Sequence, residues 1–217
     1  MIEAKHNKIL RALFNFYIDG QLKKHFNKFY LTGKLPERLS DKSLLVLPNH
    51  FSWWDGFFVD LIYRKFFSDQ TIYMMVLEQT VKNYWFFNHI GAFSINLSSP
   101  KDILKSFEYA KKLLSKKKNF VVIFPQGELK PYSMYVEIKS GVFELILKDK
   151  LDFELIFLAI KIQYENEKKP NVYFRISEIK SSNEYAGNSE KLKNDFLANL
   201  FSLENDISNT QKFEIKI

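Results

Sequence analysis

Short apolar runs at 43–47, 71–76, 119–124, 155–162 and 172–176 alternate with amphipathic stretches at 54–67, 102–114 and 137–147. Runs of that length, bounded by proline, asparagine or glycine, read as buried strands; stretches with apolar residues three and four apart read as helices. Strands that take turns with helices build a sheet of mostly parallel neighbours with helices on its faces. The expected fold is therefore α/β, a single domain with a mixed, largely parallel sheet flanked by helices. Helical patterns at 80–89 and 189–203 and a last edge strand at 212–217 complete it. A chain of 217 residues suits one such domain, somewhat enlarged.

An amphipathic helical arm precedes this unit, so that 1–40 reads as the arm and 41–217 as the domain proper. Over 5–30, Ile9, Leu13, Phe16, Tyr17, Leu22, Phe26, Phe29 and Tyr30 recur at helical spacing, with Gly20 as the expected break between two helices. Lys5, Lys8, Arg11, Lys23, Lys24 and Lys28 give the opposite character. Two readings stay open, an interfacial helix lying in a headgroup layer or a helix packed on the core, and both can hold at once.

Composition removes several function classes. The chain has no cysteine, which excludes disulfides, thiolate metal sites and a cysteine nucleophile. With only four histidines, no metal site and no bound cofactor are expected. The net charge of +7 calls for an anionic partner, yet only Arg11, Arg38, Arg64 and Arg175 are arginines, which speaks against nucleic acid read by guanidinium forks. The 22 phenylalanines are enough to fill a core and leave aromatic surface for lipid. The apolar runs fall well short of the roughly 20 residues that span a bilayer, and the N-terminus lacks a cleavage-site pattern. The expected location is peripheral, on the cytoplasmic face of a membrane.

Ligands in open α/β sheets bind beyond the carboxyl ends of strands. Two predicted strands run into polar residues there, 44–47 into Pro48-Asn49-His50-Phe51-Ser52-Trp53-Trp54-Asp55 and 121–124 into Pro125-Gln126-Gly127-Glu128. On one continuous helix, residues five apart point about 140° away from each other. With His50 in the turn and Asp55 in the first turn of the next helix they can meet. Asp55 then fixes the tautomer of His50, whose other nitrogen can take a proton from a hydroxyl. The bland alternative is capping, with Ser52 and Asp55 near a capping box and Asn49 holding the turn. Gly127 suits a tight turn whose N–H groups face an anion, or an ordinary loop. Trp53, Trp54 and Trp85 are candidate walls of a groove for an apolar chain, or plain core.

The segment Asn49-His50-Phe51-Ser52-Trp53-Trp54-Asp55 resembles the first motif, His, four residues, Asp, of the glycerolipid acyltransferases related to 1-acylglycerol-3-phosphate acyltransferase. Phe124-Pro125-Gln126-Gly127-Glu128 resembles their third motif, Phe-Pro-Glu-Gly-Thr-Arg, and Lys139-Ser140-Gly141 is similar to the lysine and glycine that follow it. Gly91–Asn96 stands where the second motif is expected, and Phe157–Ile160 where the fourth is, without its usual proline. The resemblance implies acyl transfer from acyl-CoA or an acyl carrier protein to a hydroxyl of a lipid acceptor, with His50 as general base and Asp55 as its orienter. It implies acceptor contacts at Asn49, Ser52, Gln126, Gly127, Glu128, Lys130 and Lys139. It departs at Leu97 and Leu129, where the family carries arginines, and at Glu128, which adds a negative charge. A phosphate monoester acceptor is disfavoured by those departures, and an uncharged or phosphodiester lipid is favoured. The alternative is a non-catalytic lipid- or membrane-binding protein on the same fold.

Overall fold

The computed structural model describes residues 1–37, 40–149, 151–209 and 212–217. The first helix, α1 (Lys8–His25), leads into β1 (Phe29–Thr32). Then follow β2 (Leu44–Pro48), α2 (Asp55–Phe66), β3 (Thr71–Leu77), α3 (Glu78–Asn83), a 3₁₀ turn (Trp85–His89), β4 (Ala92–Ile95), α4 (Pro100–Leu114) and β5 (Asn119–Val122). The chain continues through α5 (Gly141–Leu145), β6 (Glu154–Gln163), β7 (Asn171–Ile176), β8 (Lys180–Ser181), α6 (Ser189–Asn209) and β9 (Phe213–Glu214). The strands form one sheet in the order β4-β3-β5-β2-β6-β7-β1-β9, with β8 on β6. β4, β3, β5, β2 and β6 are mutually parallel, whereas β7 and β8 meet β6 antiparallel and β9 meets β1 antiparallel.

The central strands β2 and β5 are buried along their whole length, as continuous apolar runs in a parallel sheet must be. One core lies between the sheet and α1 and α2; the other lies beneath α4, α5 and α6. α4 starts cleanly, with Ser99 Oγ accepting from the Asp102 N–H and Pro100 in the first turn.

The N-terminal segment differs from the sequence reading. α1 runs unbroken through Gly20, because burying Phe14, Ile18 and Leu22 is worth about 1.5–3 kcal/mol each, more than the roughly 1 kcal/mol a helical glycine costs. Asn7, whose side chain accepts from Ile9 and Leu10, caps it. Phe29 and Tyr30 belong to β1, paired with Val172 and Tyr173, and not to a helix. The buried stripe of α1 shares Leu22 with the periodic set and adds Phe14 and Ile18. Ile9, Leu13, Phe16 and Tyr17 point outward, Phe16 with 85% of its surface exposed. The helix expected at 137–147 shrinks to Gly141–Leu145 and that at 80–89 splits after Asn83. Among the described residues no helix is long and apolar enough to cross a membrane.

Candidate active site

β2 and β5 are parallel neighbours in the register Leu44↔Phe120 to Val46↔Val122, so the segments that follow them, 49–55 and 125–130, emerge side by side. His50 Nδ1 lies 2.9 Å from Asp55 Oδ2. The same oxygen accepts the N–H groups of Phe51 at 2.7 Å and Ser52 at 2.8 Å. The aspartate at the start of α2 thus folds the preceding turn onto itself and brings His50 back to it. Ser52 is not the cap of α2. That position is Trp54, whose N–H the Ser52 hydroxyl accepts at 3.2 Å.

Asp55 is fully buried, and its Oδ1 makes no hydrogen bond among the described residues. Burial pushes the Asp55 carboxyl above its ordinary value, and the hydrogen bonds from His50, Ser52 and Phe51 offset part of that rise. An ionised Asp55 accepts from the His50 tautomer that carries its proton on Nδ1, which leaves Nε2 as the free ring nitrogen. The His50 side chain is one-quarter exposed, and its ring lies 4.4 Å from that of Phe124.

Gln126 joins the two segments. Its Oε1 accepts the His50 N–H at 2.6 Å and its Nε2 donates to the His50 carbonyl at 3.0 Å. Lys130 N–H reaches the same carbonyl at 3.2 Å. Asn49 does the equivalent on the other side, donating to the Ile160 carbonyl at 2.9 Å and accepting the Ile160 N–H at 2.8 Å. Both amides are therefore engaged with main chain and position His50 between β5 and β6. Gly127 has φ +71° and its N–H closes a turn on the Phe124 carbonyl, a conformation that glycine adopts without strain.

The charged residues at the lip neutralise one another. Glu128 Oε1 is 3.2 Å from Lys130 Nζ and 3.6 Å from Lys139 Nζ, and Glu137 is 3.7 Å from Lys130. Lys130, ahead of Lys139, holds the Glu128 carboxyl below the usual carboxylate range, and Glu128 raises Lys130 in turn.

Beneath His50 lies a cavity of about 720 Å³ with a mainly apolar lining, within the usual size of a small-molecule site. Trp53, Phe57, Met74 and Phe87 line it on the α2 side. Of the three candidate tryptophans only Trp53 lines it. Trp54 packs edge-on against Phe26 and beside His25, and Trp85 is exposed with its ring against His89. The sequence reading missed Arg11 and Asp60, which line the end of the cavity near Ile72, the end of β3 away from the site. Arg11 Nη2 meets Asp60 at 2.6 Å, and Arg64 meets Asp60 at 2.8 Å and Asp19 at 2.7 Å. The available signal was Asp60 and Arg64, four apart within an apolar helix.

A mixed, largely parallel α/β sheet thus carries a His–Asp pair at its strand ends, over a large apolar cavity. The sequence model of the Acyltransferase family matches residues 28–160, and the chain belongs to that family. Among solved structures it is similar to the crystal structure of the 1-acyl-sn-glycerophosphate (LPA) acyltransferase PlsC from Thermotoga maritima, at 16% identity and a TM-score of 0.62, covering 94% of this chain and 81% of that one. At that identity the likeness is one of fold. No curated protein sequence matches the chain.

Proposed function

We propose that the protein is an O-acyltransferase that moves a fatty acyl group from acyl-CoA or an acyl carrier protein to a hydroxyl of a lipid acceptor at a membrane surface. The observation that carries this reading is the 2.9 Å contact between His50 Nδ1 and Asp55 at the mouth of an apolar cavity, in a chain of this family. His50 Nε2 takes the proton of the acceptor hydroxyl as its oxygen attacks the thioester carbonyl. The C–S bond then breaks, and the proton passes from His50 to the departing thiolate. A general base of this kind contributes about 10²–10⁴-fold. Asp55 keeps the tautomer and steadies the imidazolium, while Gln126 and Asn49 act as positioning residues.

The lip speaks for the class of acceptor. With two lysines set against two glutamates, a dianionic phosphate monoester finds no excess positive charge and would have to displace Glu128. Lysine also lacks the bidentate fork of arginine. A phosphodiester or uncharged headgroup meets no such penalty. The outward face of α1, with Phe16, Leu13 and Ile9 flanked by Lys5, Lys8, Lys23 and Lys24, suits membrane-surface contact. The test is free-thiol release from acyl thioesters, with lysophosphatidic acid, lysophospholipids and neutral lipid alcohols as acceptors and folded His50→Ala protein as control. Release that requires both an acceptor and His50 is the expected result. Equal turnover by the His50→Ala protein refutes the mechanism, and vesicle binding without turnover by any acceptor favours a lipid-binding role.

A further inference from the structure

The cavity touches both faces of the sheet. Successive residues of a strand point to opposite faces, and the lining takes Ile72, Met74 and Val76 from one face of β3 but Met75 and Leu77 from the other. The passage is explained by strand lengths. β3 pairs with β5 only from Thr71↔Asn119 to Met74↔Val122, whereas its pairing with β4 continues to Leu77↔Ile95. Beyond Met74 and Val122 the two strands no longer pair, and Ile123, Phe124 and His50 line the cavity beside that point. The lining therefore divides into two branches, one on each face of the sheet. One, between α2 and the sheet, has Phe57, Ala92 and Ile90 together with the charged pair Arg11 and Asp60. The other, beneath α4 and α5, has Ile95, Ile103, Phe107 and Val142 together with Leu97, which is half exposed.

We propose that the α4–α5 branch is a binding site for the hydrocarbon tail of the acceptor, so that donor and acceptor chains lie on opposite faces of the sheet and meet at His50. The proposal rests on the acyl-transfer reading and narrows it to acceptors that carry a long chain of their own. Three features carry it. The branch is continuous with the His50 end of the cavity, as an acceptor hydroxyl requires. Its lining is hydrocarbon and aromatic, so the amides of a pantetheine arm would be desolvated there without partners, whereas a methylene chain would not. Its lining includes the half-exposed Leu97, as suits a ligand drawn from an apolar phase, while the α2 branch carries the Arg11–Asp60 ion pair. Two substrates that must meet at one imidazole but occupy separate apolar branches do not compete for the same space.

The test compares Ile103→Trp, which fills the α4–α5 branch from a half-buried helix position, with Ala92→Phe, which fills the α2 branch. Leu97→Trp at the exposed opening is the second block should Ile103→Trp fail to fold. The acceptors are phosphodiester lysolipids of graded tail length with a tailless glycerophosphodiester, and the donors are acyl-CoA thioesters of graded length. Dissociation constants are measured by equilibrium dialysis below micelle-forming concentrations, on wild-type and on His50→Ala protein, so that binding is read whether or not turnover occurs. In wild type, lysolipid affinity should rise by about fourfold per methylene until the branch is full. Ile103→Trp should flatten that rise by tenfold or more at long tails and leave the donor length dependence in place, and Ala92→Phe should do the reverse. Lysolipid affinity independent of tail length, or a shift of donor affinity alone in Ile103→Trp, overturns the proposal. Failure of the acyl-transfer reading appears separately, as absent thiol release with every acceptor.

Discussion

Gln126 is the clearest single point at which to test how the site is held. Its buried amide makes two hydrogen bonds to the main chain of His50, at 2.6 and 3.0 Å. Gln126→Leu keeps most of the volume and removes both. The His50 carbonyl retains Lys130 N–H at 3.2 Å, so the loss falls on the His50 N–H, left unpaired at a cost of about 1–3 kcal/mol. For a chain of this size that predicts a fall in Tm of roughly 2–12 °C, measured by thermal unfolding. Turnover should fall further than stability, by about 100-fold, because a shift of the order of 1 Å in a catalytic group costs that much. Gln126→Glu is the informative companion. Its carboxylate still accepts from the His50 N–H but sets a second, buried acceptor oxygen against the His50 carbonyl, so it should recover only part of the stability and the turnover. Wild-type Tm and thiol release in Gln126→Leu would refute the clamp. A wild-type Tm with lost turnover in both variants would assign Gln126 to the substrate instead.

Further outcomes follow from the same contacts. Because burial raises the Asp55 carboxyl in the folded state, the native protein binds its proton more tightly than the unfolded chain. The stability of wild type relative to Asp55→Asn should therefore decline as pH rises through and above the unfolded value of about 4, as denaturant unfolding across pH 3.5–7 (roughly that span) will reveal; a rise instead contradicts the burial argument. Asp60→Ala should be destabilised by about 1–3 kcal/mol because it leaves the partly buried Arg11 without its carboxylate, whereas Arg11→Ala should cost less because Asp60 keeps Arg64 at 2.8 Å; equal urea midpoints would contradict this. Phe16→Asp should lower partition onto anionic vesicles at least tenfold with Tm unchanged, since Phe16 makes no part of either core. Glu128→Gln should raise turnover of lysophosphatidic acid relative to a lysophosphodiester by freeing Lys130 and Lys139, and an unchanged ratio would remove Glu128 from the acceptor lip.

Reading along the chain recovered the elements whose signal is local. The runs at 44–47 and 155–162 are apolar on both faces because central parallel strands are covered on both, and α4 carries its own cap and its own stripe. The edges were less legible. β1 lies within a segment of helical periodicity, and its strand state comes from pairing with β7, more than 140 residues away. Which stripe of α1 faces inward was equally hidden, since the sequence offers two apolar stripes on that helix and only packing in the core shared with α2 and the sheet selects Phe14, Ile18 and Leu22.

The site divides in the same way. The pairing of His50 with Asp55 was legible in the sequence by itself, because both partners lie within one turn and a five-residue spacing can close only if the chain bends between them. So were Leu97 and Leu129, where the resemblance leads one to expect arginines, and the charge of Glu128. Only the tertiary structure decided that Gln126 and Asn49 are engaged with main chain, that Trp53 alone of the three tryptophans meets the cavity, and that both faces of β3 line the cavity where it outlasts β5. Those properties depend on the register and length of strands distant in sequence, and on what remains unfilled when their side chains pack. A hydrogen bond within a turn is decided by its own residues, whereas an empty space belongs to all the elements around it.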